Sequence, residues 1–291
     1  AQMRLYLRCA KQYFGESALP LFASKALCCA EIYRIAAEEG MGIDCVSPGE
    51  LYIANRVGFP ASRIYFHGNN KTDADIAQAL DMGVGTFVVD NAEELDALNE
   101  QSLARGMRAR ILLRITPGID PHTHKAISTG GVDSKFGSPI MTGQAEAIVL
   151  RALACEGIDL QGFHCHIGSQ IFDAEPFIEA AQIMVAFMAD MTHKHDIHLH
   201  ELNLGGGLGV RYTAEQPTLD VEGTIRTIAE SVKVLCAQNG IEMPRVILEP
   251  GRSIVAAAGA TLYTVGSVKK IPGFKNYVSV DGGMPDNPRY A

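Results

Sequence analysis

Short apolar runs alternate with longer amphipathic stretches along most of the chain, and this alternation restricts the possible folds more than any other feature. It is typical of parallel sheets, because successive parallel strands need a crossover connection that is usually a helix. Eight such runs predict a closed (β/α)₈ TIM-like barrel, and an open doubly wound sheet is the alternative. The predicted strands are residues 20–25, 43–47, 63–68, 86–90, 110–115, 160–168, 200–206 and 245–251.

Two of the intervening stretches also carry residues that are typical of helix ends. The helix predicted over 28–39 is followed by Gly40, the residue type that most often follows a helix. The stretch 91-NAEELDALNEQSLARG-106 opens with Asn91, a good N-cap, has acidic residues in its first turn and stops at Gly106.

The pattern changes near residue 262. The segments 262-LYTVGSVKKI-271 and 276-NYVSVDGG-283 predict strands of a second, β-rich unit. We therefore expect a barrel domain over 1–261 and the beginning of a C-terminal β domain over 262–291. The chain starts without Met and stops soon after an apolar run, so we expect it to be a piece of a longer protein.

Composition excludes several classes of protein. The chain has 291 residues and a net charge of −8, and it has no long Lys/Arg run, which argues against binding to nucleic acid. Its longest apolar stretches, such as 253–268, are interrupted by Ser, Gly and Thr and fall short of a membrane span. The seven cysteines include no CxxC pair, so we expect reduced thiols in a cytoplasmic protein.

Polar residues stand where the predicted strands end. In (β/α)₈ barrels the carboxyl ends of the strands form the catalytic face, so these residues should meet on one rim and form a site. They are Lys25, Asp44, His67, Asp90, Arg114, His166, Gly205–Gly207 and Glu249–Arg252.

Lys25 closes an otherwise apolar strand. We expect partial desolvation there to disfavour its ammonium form and to leave an amine that can attack a carbonyl carbon. The alternative is an ordinary lysine at a strand end that extends into water.

Glycines follow the last two strands, in 205-GGGLG-209 and 250-PGR-252. Barrels often bind phosphate in the loops after strands seven and eight, where small residues let backbone N–H groups approach the oxygens. The spacing does not match GxGxxG, which argues against a dinucleotide site of Rossmann type. A plain glycine-rich turn is the alternative.

The segment 164-HCHIGSQ-170 places His164 and His166 two residues apart, on the same face of a strand. No further Cys/His pair stands at finger spacing, so we expect no metal. A flat imidazole against an aromatic cofactor, or a buried histidine with a hydrogen-bond partner, fits better. Ser169 offers a hydroxyl for a phosphate group.

Glu249 closes an apolar strand, where an unpaired carboxylate is costly. Its partner could be Arg252, another buried base or the protonated nitrogen of a heterocycle. Arg252 and Arg289 could bind a substrate carboxylate or form ordinary salt bridges. An amine, a phosphate cradle, an imidazole and this carboxylate together predict a pocket for pyridoxal 5′-phosphate (PLP).

Seven segments of the chain resemble the motifs of the diaminopimelate decarboxylases, in the same order. This family belongs to the PLP-dependent decarboxylases with an alanine-racemase-like barrel. The resemblance implies that the protein is a carboxy-lyase that converts meso-2,6-diaminopimelate to L-lysine and CO₂, the last step of lysine biosynthesis. The segments are 22-FASK-25, 43-IDCVSPGEL-51, 65-YFHGNNK-71, 164-HCHIGSQ-170, 203-NLGGGLG-209, 248-LEPGR-252 and 280-VDGGMPDNPR-289.

The same resemblance implies a role for each site residue. Lys25 would form a Schiff base with the cofactor aldehyde, His166 would stack on the ring, and Glu249 would keep the ring nitrogen protonated. Alanine racemases have an Arg opposite that nitrogen, so a Glu at position 249 indicates a decarboxylase rather than a racemase. The remaining roles are phosphate binding by Ser169, Gly206, Gly207 and the backbone of Glu249, Pro250, Gly251 and Arg252; substrate binding by Arg252 and Arg289; and support by Asp44, Glu50, His67 and Arg114.

The resemblance also implies a homodimer in which the missing β domain contributes to the partner subunit's site, so this chain alone should be a poor enzyme.

Alternatives are a decarboxylase of ornithine, arginine or carboxynorspermidine, or a non-catalytic regulator on the same fold. The regulator is disfavoured because such proteins tend to lose the lysine, and Lys25 is present. A metal-dependent barrel enzyme that uses His164 and His166 is the third alternative.

Overall fold

The computed structural model describes residues 1–119, 130–131 and 133–284. These residues form two compact units, Ala1–Ala256 and a unit that begins at Ala257. In the described part of the chain no helix is both long and apolar enough to cross a membrane.

The first unit contains a closed barrel of eight parallel strands, as predicted. The first strand pairs with the last, with Leu19 opposite Ile247, and the fourth pairs with the fifth, so the sheet has no open edge. A short strand, β6 (Ser138–Pro139), adds to the end of the fifth. The barrel strands are β1 (Leu19–Ala23), β2 (Gly42–Cys45), β3 (Ile64–Phe66), β4 (Thr86–Val89), β5 (Ala109–Thr116), β7 (Ile158–His164), β8 (Glu201–Asn203) and β9 (Arg245–Leu248).

Helices connect the strands and surround the barrel. The predicted helix ends are close to those observed: Asn91 caps its helix by accepting a hydrogen bond from Glu94 N, and Gly40 follows its helix in the left-handed conformation. The first helix was not predicted. The helices are α1 (Gln2–Phe14), α2 (Ala30–Glu39), α3 (Pro48–Arg56), α4 (Asp73–Met82), α5 (Ala92–Ala104), α6 (Gln144–Leu153), α7 (Glu175–His195), α8 (Val221–Gln238) and α9 (Arg252–Val255).

Apolar side chains fill the barrel and the layer between strands and helices. A layer inside the barrel consists of Leu21, Tyr65, Val88, Leu112 and Ile247, all nearly inaccessible to water. Because barrel strands point alternate side chains inward, these residues form a packed core rather than a channel. This packing holds the strand ends in fixed positions.

A buried carboxylate lies at the amino ends of the strands, opposite the predicted site. Glu201 accepts a hydrogen bond from Tyr65 Oη at 2.8 Å and contacts Arg110 at 3.3 Å and Arg245 at 3.2 Å. These partners offset the cost of burying the charge, so we assign Glu201 a structural role.

The second unit contains an antiparallel pair, β10 (Val265–Lys270) and β11 (Asn276–Val280). Both strands lie within the segments predicted to be extended. Thr264 N donates to a carboxylate oxygen of Asp281 at 2.9 Å and joins the two ends of the hairpin.

Candidate active site

A cavity of about 320 Å³ opens at the carboxyl ends of the barrel strands. Its volume lies in the range of sites for small molecules and cofactors. Every barrel strand but two, β4 and β8, contributes a lining residue from its end or from the loop that follows. The lining residues are Lys25, Asp44, Val46, His67, Gly68, Asn69, Arg114, Phe136, His164, His166 and Glu249.

The strand register explains why distant residues meet here. Ala23 of β1 lies opposite Asp44 of β2, and Arg114 of β5 lies opposite His164 of β7. His164 in turn lies opposite Asn203 of β8. Polar side chains at or near the ends of neighbouring parallel strands therefore form one row around the mouth of the barrel.

Lys25 lies on a single helical turn, Ser24–Ala26, just beyond the end of β1. Its side chain lines the cavity, but it is exposed. The expectation that burial desolvates this lysine is therefore wrong, because the turn carries it past the apolar strand to the open mouth. Burial raises the pKa of Asp44 and of Glu50, and the positive charge of Lys25 opposes this with a smaller lowering effect on both.

Glu249 is the centre of a buried hydrogen-bond network. Asn203 Nδ2 donates to its Oε1 at 2.6 Å, and His164 Nε2 lies 3.3 Å from its Oε2. His67 Nε2 lies 2.9 Å from Oε1, although its orientation does not make a hydrogen bond. Burial by itself would raise the pKa of Glu249, but His67 and His164 outweigh it and hold the pKa well below its ordinary value. Glu249 is therefore a carboxylate, and its partners are the Asn203 amide and two buried histidines rather than Arg252.

His164 is a neutral histidine. Burial lowers its pKa from 6.5 to about 4, although Glu249 acts in the opposite direction. A neutral ring can still donate from Nε2 to Glu249, which leaves Nδ1 as a buried acceptor with no partner among the described residues. Its ring meets the ring of His67 edge to face, with 4.9 Å between centroids.

Arg114 and Asp90 extend the polar row along the rim. Arg114 Nε lies 3.8 Å from Asp90 Oδ1, and the guanidinium lies 4.1 Å from the centroid of the Phe136 ring. Burial raises the pKa of Asp90, and it lowers the pKa of Arg114. Asp44 is also buried, and burial raises its pKa while His67, 3.8 Å away, lowers it.

His166 and the glycine loop after β8 are in direct contact. Gly206 N donates to His166 Nδ1 at 3.3 Å, which fixes the plane of the imidazole at the edge of the cavity. Packing around the ring, together with the charges of Lys25 and Arg114, lowers the pKa of His166 well below 6.5. His166 lies two residues past the end of β7, rather than within the strand as predicted.

The glycines of the two loops are required by close backbone contacts. A Cβ on Gly206 would lie 2.1 Å from the carbonyl oxygen of Glu249, and one on Gly207 would lie 2.3 Å from that of Gly168. A Cβ on Gly251 would lie 2.9 Å from the Cβ of Ala23, next to the turn that carries Lys25. The glycine loops and the lysine are therefore parts of one compact site.

The remaining predicted residues lie around this centre. Glu50 is buried and accepts a hydrogen bond from the backbone N–H of Val46, so it supports the loop after β2. Ser169 is half-buried, and Arg252 is exposed and donates to Tyr212 Oη at 3.1 Å. Arg289 lies outside the described residues.

Several site residues were not predicted from the sequence. Asn203 orients Glu249, and its position two residues before the glycine run was the only indication. Lys71 and Glu94 form a buried ion pair at 2.7 Å. Lys71 also donates to the carbonyl oxygens of Gly68 and Val88, so it ties the ends of β3 and β4 together.

One group of possible metal ligands occurs in the described part of the chain. It consists of His67, His164 and Glu249, whose ligand atoms lie within 4.8 Å of one another. His166 does not belong to it, so the predicted alternative of a metal on His164 and His166 has no support in this geometry.

Comparisons with known proteins agree with the geometry. A sequence model described as the pyridoxal-binding domain of the pyridoxal-dependent decarboxylases matches residues 1–256. A diaminopimelate decarboxylase of Halalkalibacterium halodurans is 46% identical over 277 residues, and one of Bacillus subtilis is 45% identical; each alignment covers 95% of this chain. The chain spans about 63% of the length of these curated relatives.

Solved structures give the same result. The diaminopimelate decarboxylase of M. jannaschii, in complex with L-lysine, matches 99% of this chain with a TM-score of 0.84 and 35% identity. The enzyme of Helicobacter pylori, also in complex with L-lysine, matches 98% with a TM-score of 0.83 and 33% identity. The matches cover 67% and 69% of those chains.

Proposed function

The chain belongs to the pyridoxal-dependent decarboxylases, of which it contains the pyridoxal-binding domain, and we propose that the protein decarboxylates meso-2,6-diaminopimelate to L-lysine and CO₂. The observation that carries this proposal is the convergence of Lys25, His166 and Glu249 on one cavity of about 320 Å³, with glycine loops beside it.

The cavity fits PLP. Asp44 Oδ1, His67 Nε2 and His164 Nδ1 are buried polar atoms without a hydrogen-bond partner among the described residues, and all three residues line the cavity. Such atoms in a concave site favour a polar ligand, because an unsatisfied buried group is costly. Gly206 and Gly207 have no side chains, and a Cβ at either position would collide with backbone, so the loop presents bare main chain of the kind that can approach a phosphate group.

When bound, PLP supplies an aldehyde that condenses with amines and an electron-deficient ring that accepts the electron pair left by departing CO₂. Lys25 would hold the aldehyde carbon through its amine until substrate arrives, and its exposed position at the mouth gives an incoming amine access. Glu249, an ionised and buried carboxylate, would hold a proton on the ring nitrogen and so increase the electron demand of the ring.

The other predicted residues would bind and orient. His166, fixed by Gly206 N–H, would pack its neutral imidazole against the ring. Ser169, Gly206, Gly207 and the backbone of residues 249–252 would bind the phosphate. Arg252, which Tyr212 holds in place, would bind a substrate carboxylate together with Arg289. His67 and Arg114 would support the charge of Glu249, and Asp44, 3.8 Å from His67 Nε2, would support His67.

The choice of substrate rests on the relatives. The curated relatives at 42–46% identity are named diaminopimelate decarboxylases, and the structures from M. jannaschii and H. pylori contain L-lysine, the expected product. A lysine/ornithine decarboxylase from Vibrio vulnificus, in complex with putrescine, has the same fold at only 26% identity, with a TM-score of 0.77. A decarboxylase of ornithine type is therefore the second candidate.

We further propose that residues 262–291 begin a second, β-rich domain, and that the whole protein is a homodimer in which this domain helps to complete the partner subunit's site. All seven cysteines are free, which supports a cytoplasmic location.

The substrate is tested on the longer protein that contains this chain, loaded with PLP. We expect CO₂ release and L-lysine formation from meso-2,6-diaminopimelate, and much slower CO₂ release from L-ornithine and L-arginine. The Lys25→Ala variant is the matched control and should be inactive on all three. Faster CO₂ release from ornithine or arginine would show that one of these is the substrate instead. Activity that depends on added metal rather than on PLP would refute the proposed chemistry.

A further inference from the structure

Two loops of the site are joined along their length. The loop after β7 and the loop after β8 form a short parallel bridge in which Ile171 N donates to Gly207 O at 3.0 Å and Gly209 N donates to Ile171 O at 2.8 Å. These loops carry Ser169, Gly206 and Gly207, the residues proposed to bind the phosphate. Their separation therefore sets the width of the phosphate site.

Gln170 fastens the same two loops with its side chain. Its Nε2 donates to Val210 O at 3.1 Å, and its Oε1 accepts from Val210 N at 2.9 Å. The side-chain amide of Gln170 thus pairs with both the N–H and the carbonyl oxygen of Val210, as the backbone of a neighbouring strand would. Both hydrogen bonds are partly buried, so water competes with them less than it would at an exposed site.

The backbone of Gln170 adopts an unfavourable conformation to make this contact. Its φ is +60°, a left-handed value that only one other non-glycine residue among those described adopts, Asp196, which ends α7. A helix end is an ordinary place for this conformation, but Gln170 is not at one. The conformation aims the amide of Gln170 at Val210.

We propose that Gln170 is a positioning residue that clamps the two loops at the spacing that binds the cofactor phosphate. This inference rests on the proposed function, because it assumes that Ser169, Gly206 and Gly207 bind that phosphate. Lys25 and Glu249 come from the ends of β1 and β9, so loss of the clamp should leave the contacts with the aldehyde and the ring nitrogen unchanged. His166, which accepts a hydrogen bond from Gly206 N, would link the clamped loops to the ring.

The test compares PLP with pyridoxal, which has the same ring and aldehyde but no phosphate. Equilibrium dialysis measures the dissociation constants of both ligands for three proteins: the unaltered chain, Gln170→Asn and Gln170→Gly. Asn is tolerated in the left-handed region but its amide is one methylene shorter, and Gly removes both the strain and the amide. Gln101→Ala is the control, because Gln101 also donates to a backbone carbonyl, that of Asp73, but on an exposed surface.

We expect both Gln170 variants to bind PLP about tenfold more weakly, a change of about 1.4 kcal/mol, with a much smaller change in pyridoxal binding. Inorganic phosphate should likewise become a roughly tenfold weaker competitor of PLP, since it reports on the phosphate site alone. Gln101→Ala should change none of these values.

Two results would overturn the inference: equal weakening of PLP and pyridoxal, which indicates a purely structural contact, or no change in either. A third result separates this inference from the proposed function. If the unaltered chain binds pyridoxal as tightly as PLP, the two loops do not hold the phosphate. The proposed phosphate site is then wrong, and the inference about Gln170 is wrong with it. A variant that binds neither ligand counts as equal weakening.

Discussion

The neutral state of buried His164 should make the stability of the cofactor-free chain depend on pH, and replacement by Gln should remove that part of the dependence. Burial lowers the pKa of His164 from 6.5 to about 4. A histidine with a lowered pKa in the folded state contributes stability above its unfolded pKa, and this stability is lost as the pH falls through the folded pKa. Between pH 7.5 and pH 4.5 the loss attributable to His164 is about 2–3 kcal/mol.

Urea unfolding at the two pH values, followed by circular dichroism, measures this contribution. Gln is the appropriate replacement because its amide nitrogen can donate to Glu249 as His164 Nε2 does. Other buried groups also change stability with pH: burial raises the pKa of Asp44 and Asp90, which favours folding at lower pH, and the lowered pKa of Glu249 has the opposite sign. The contributions of Asp44 and Asp90 are common to both proteins and largely cancel in the difference between them. The pKa of Glu249 depends partly on His164, but a carboxyl group with an ordinary pKa of 4.5 contributes little to the pH dependence above pH 4.5.

We expect the unaltered chain to lose about 2–3 kcal/mol more than His164→Gln between the two pH values. The exposed His193 provides a matched control, and His193→Gln should behave like the unaltered chain. Equal losses in the unaltered chain and His164→Gln would show that His164 is not held neutral by burial, and would refute the description of the Glu249 network given above.

Two further predictions concern stability and cofactor affinity. Lys71→Met should lower the free energy of unfolding by about 3–5 kcal/mol, because it leaves the carboxylate of Glu94 buried without its partner. The double variant with Glu94→Leu should recover only part of that loss in urea unfolding, because the carbonyl oxygens of Gly68 and Val88 remain without the hydrogen bonds from Lys71. No loss in the single variant would contradict the assigned ion pair. Gly206→Ala should weaken PLP binding roughly tenfold or more in equilibrium dialysis, because the added Cβ displaces the Glu249 backbone. Gly49→Ala is the control and should bind PLP normally, because a Cβ there meets only ordinary contacts. Equal PLP affinities of the two variants would refute the close approach at Gly206.

The fold could be predicted because its information is local. Apolar runs and helix ends such as Asn91 and Gly40 are visible in short segments, and eight strands with intervening helices favour a closed barrel. The prediction placed the end of β7 at residue 168, whereas the strand ends at His164, because the buried residues Cys165 and Ile167 continue the apolar run in a loop. α1 was not predicted, although its buried residues Met3, Tyr6, Cys9, Ala10 and Phe14 repeat at helical spacing.

The site could be predicted only in part, because its decisive contacts join residues far apart in the chain. The rule that chemistry collects at strand ends brings together Lys25, His166 and Glu249, which the structure places around one cavity. The rule does not show how side chains pair: the contact of Asn203 with Glu249 spans 46 residues. Nor could it show that Lys25 is exposed, since that depends on a turn beyond the strand.

The most direct test of the central claim is to locate the lysine that binds the cofactor. The chain is incubated with PLP, reduced with borohydride, digested and mapped by mass spectrometry. We predict a phosphopyridoxyl group on the peptide that contains Lys25 and no such group in Lys25→Ala, whereas stoichiometric labelling of another lysine, or unchanged labelling in that variant, would contradict the assignment of this cavity.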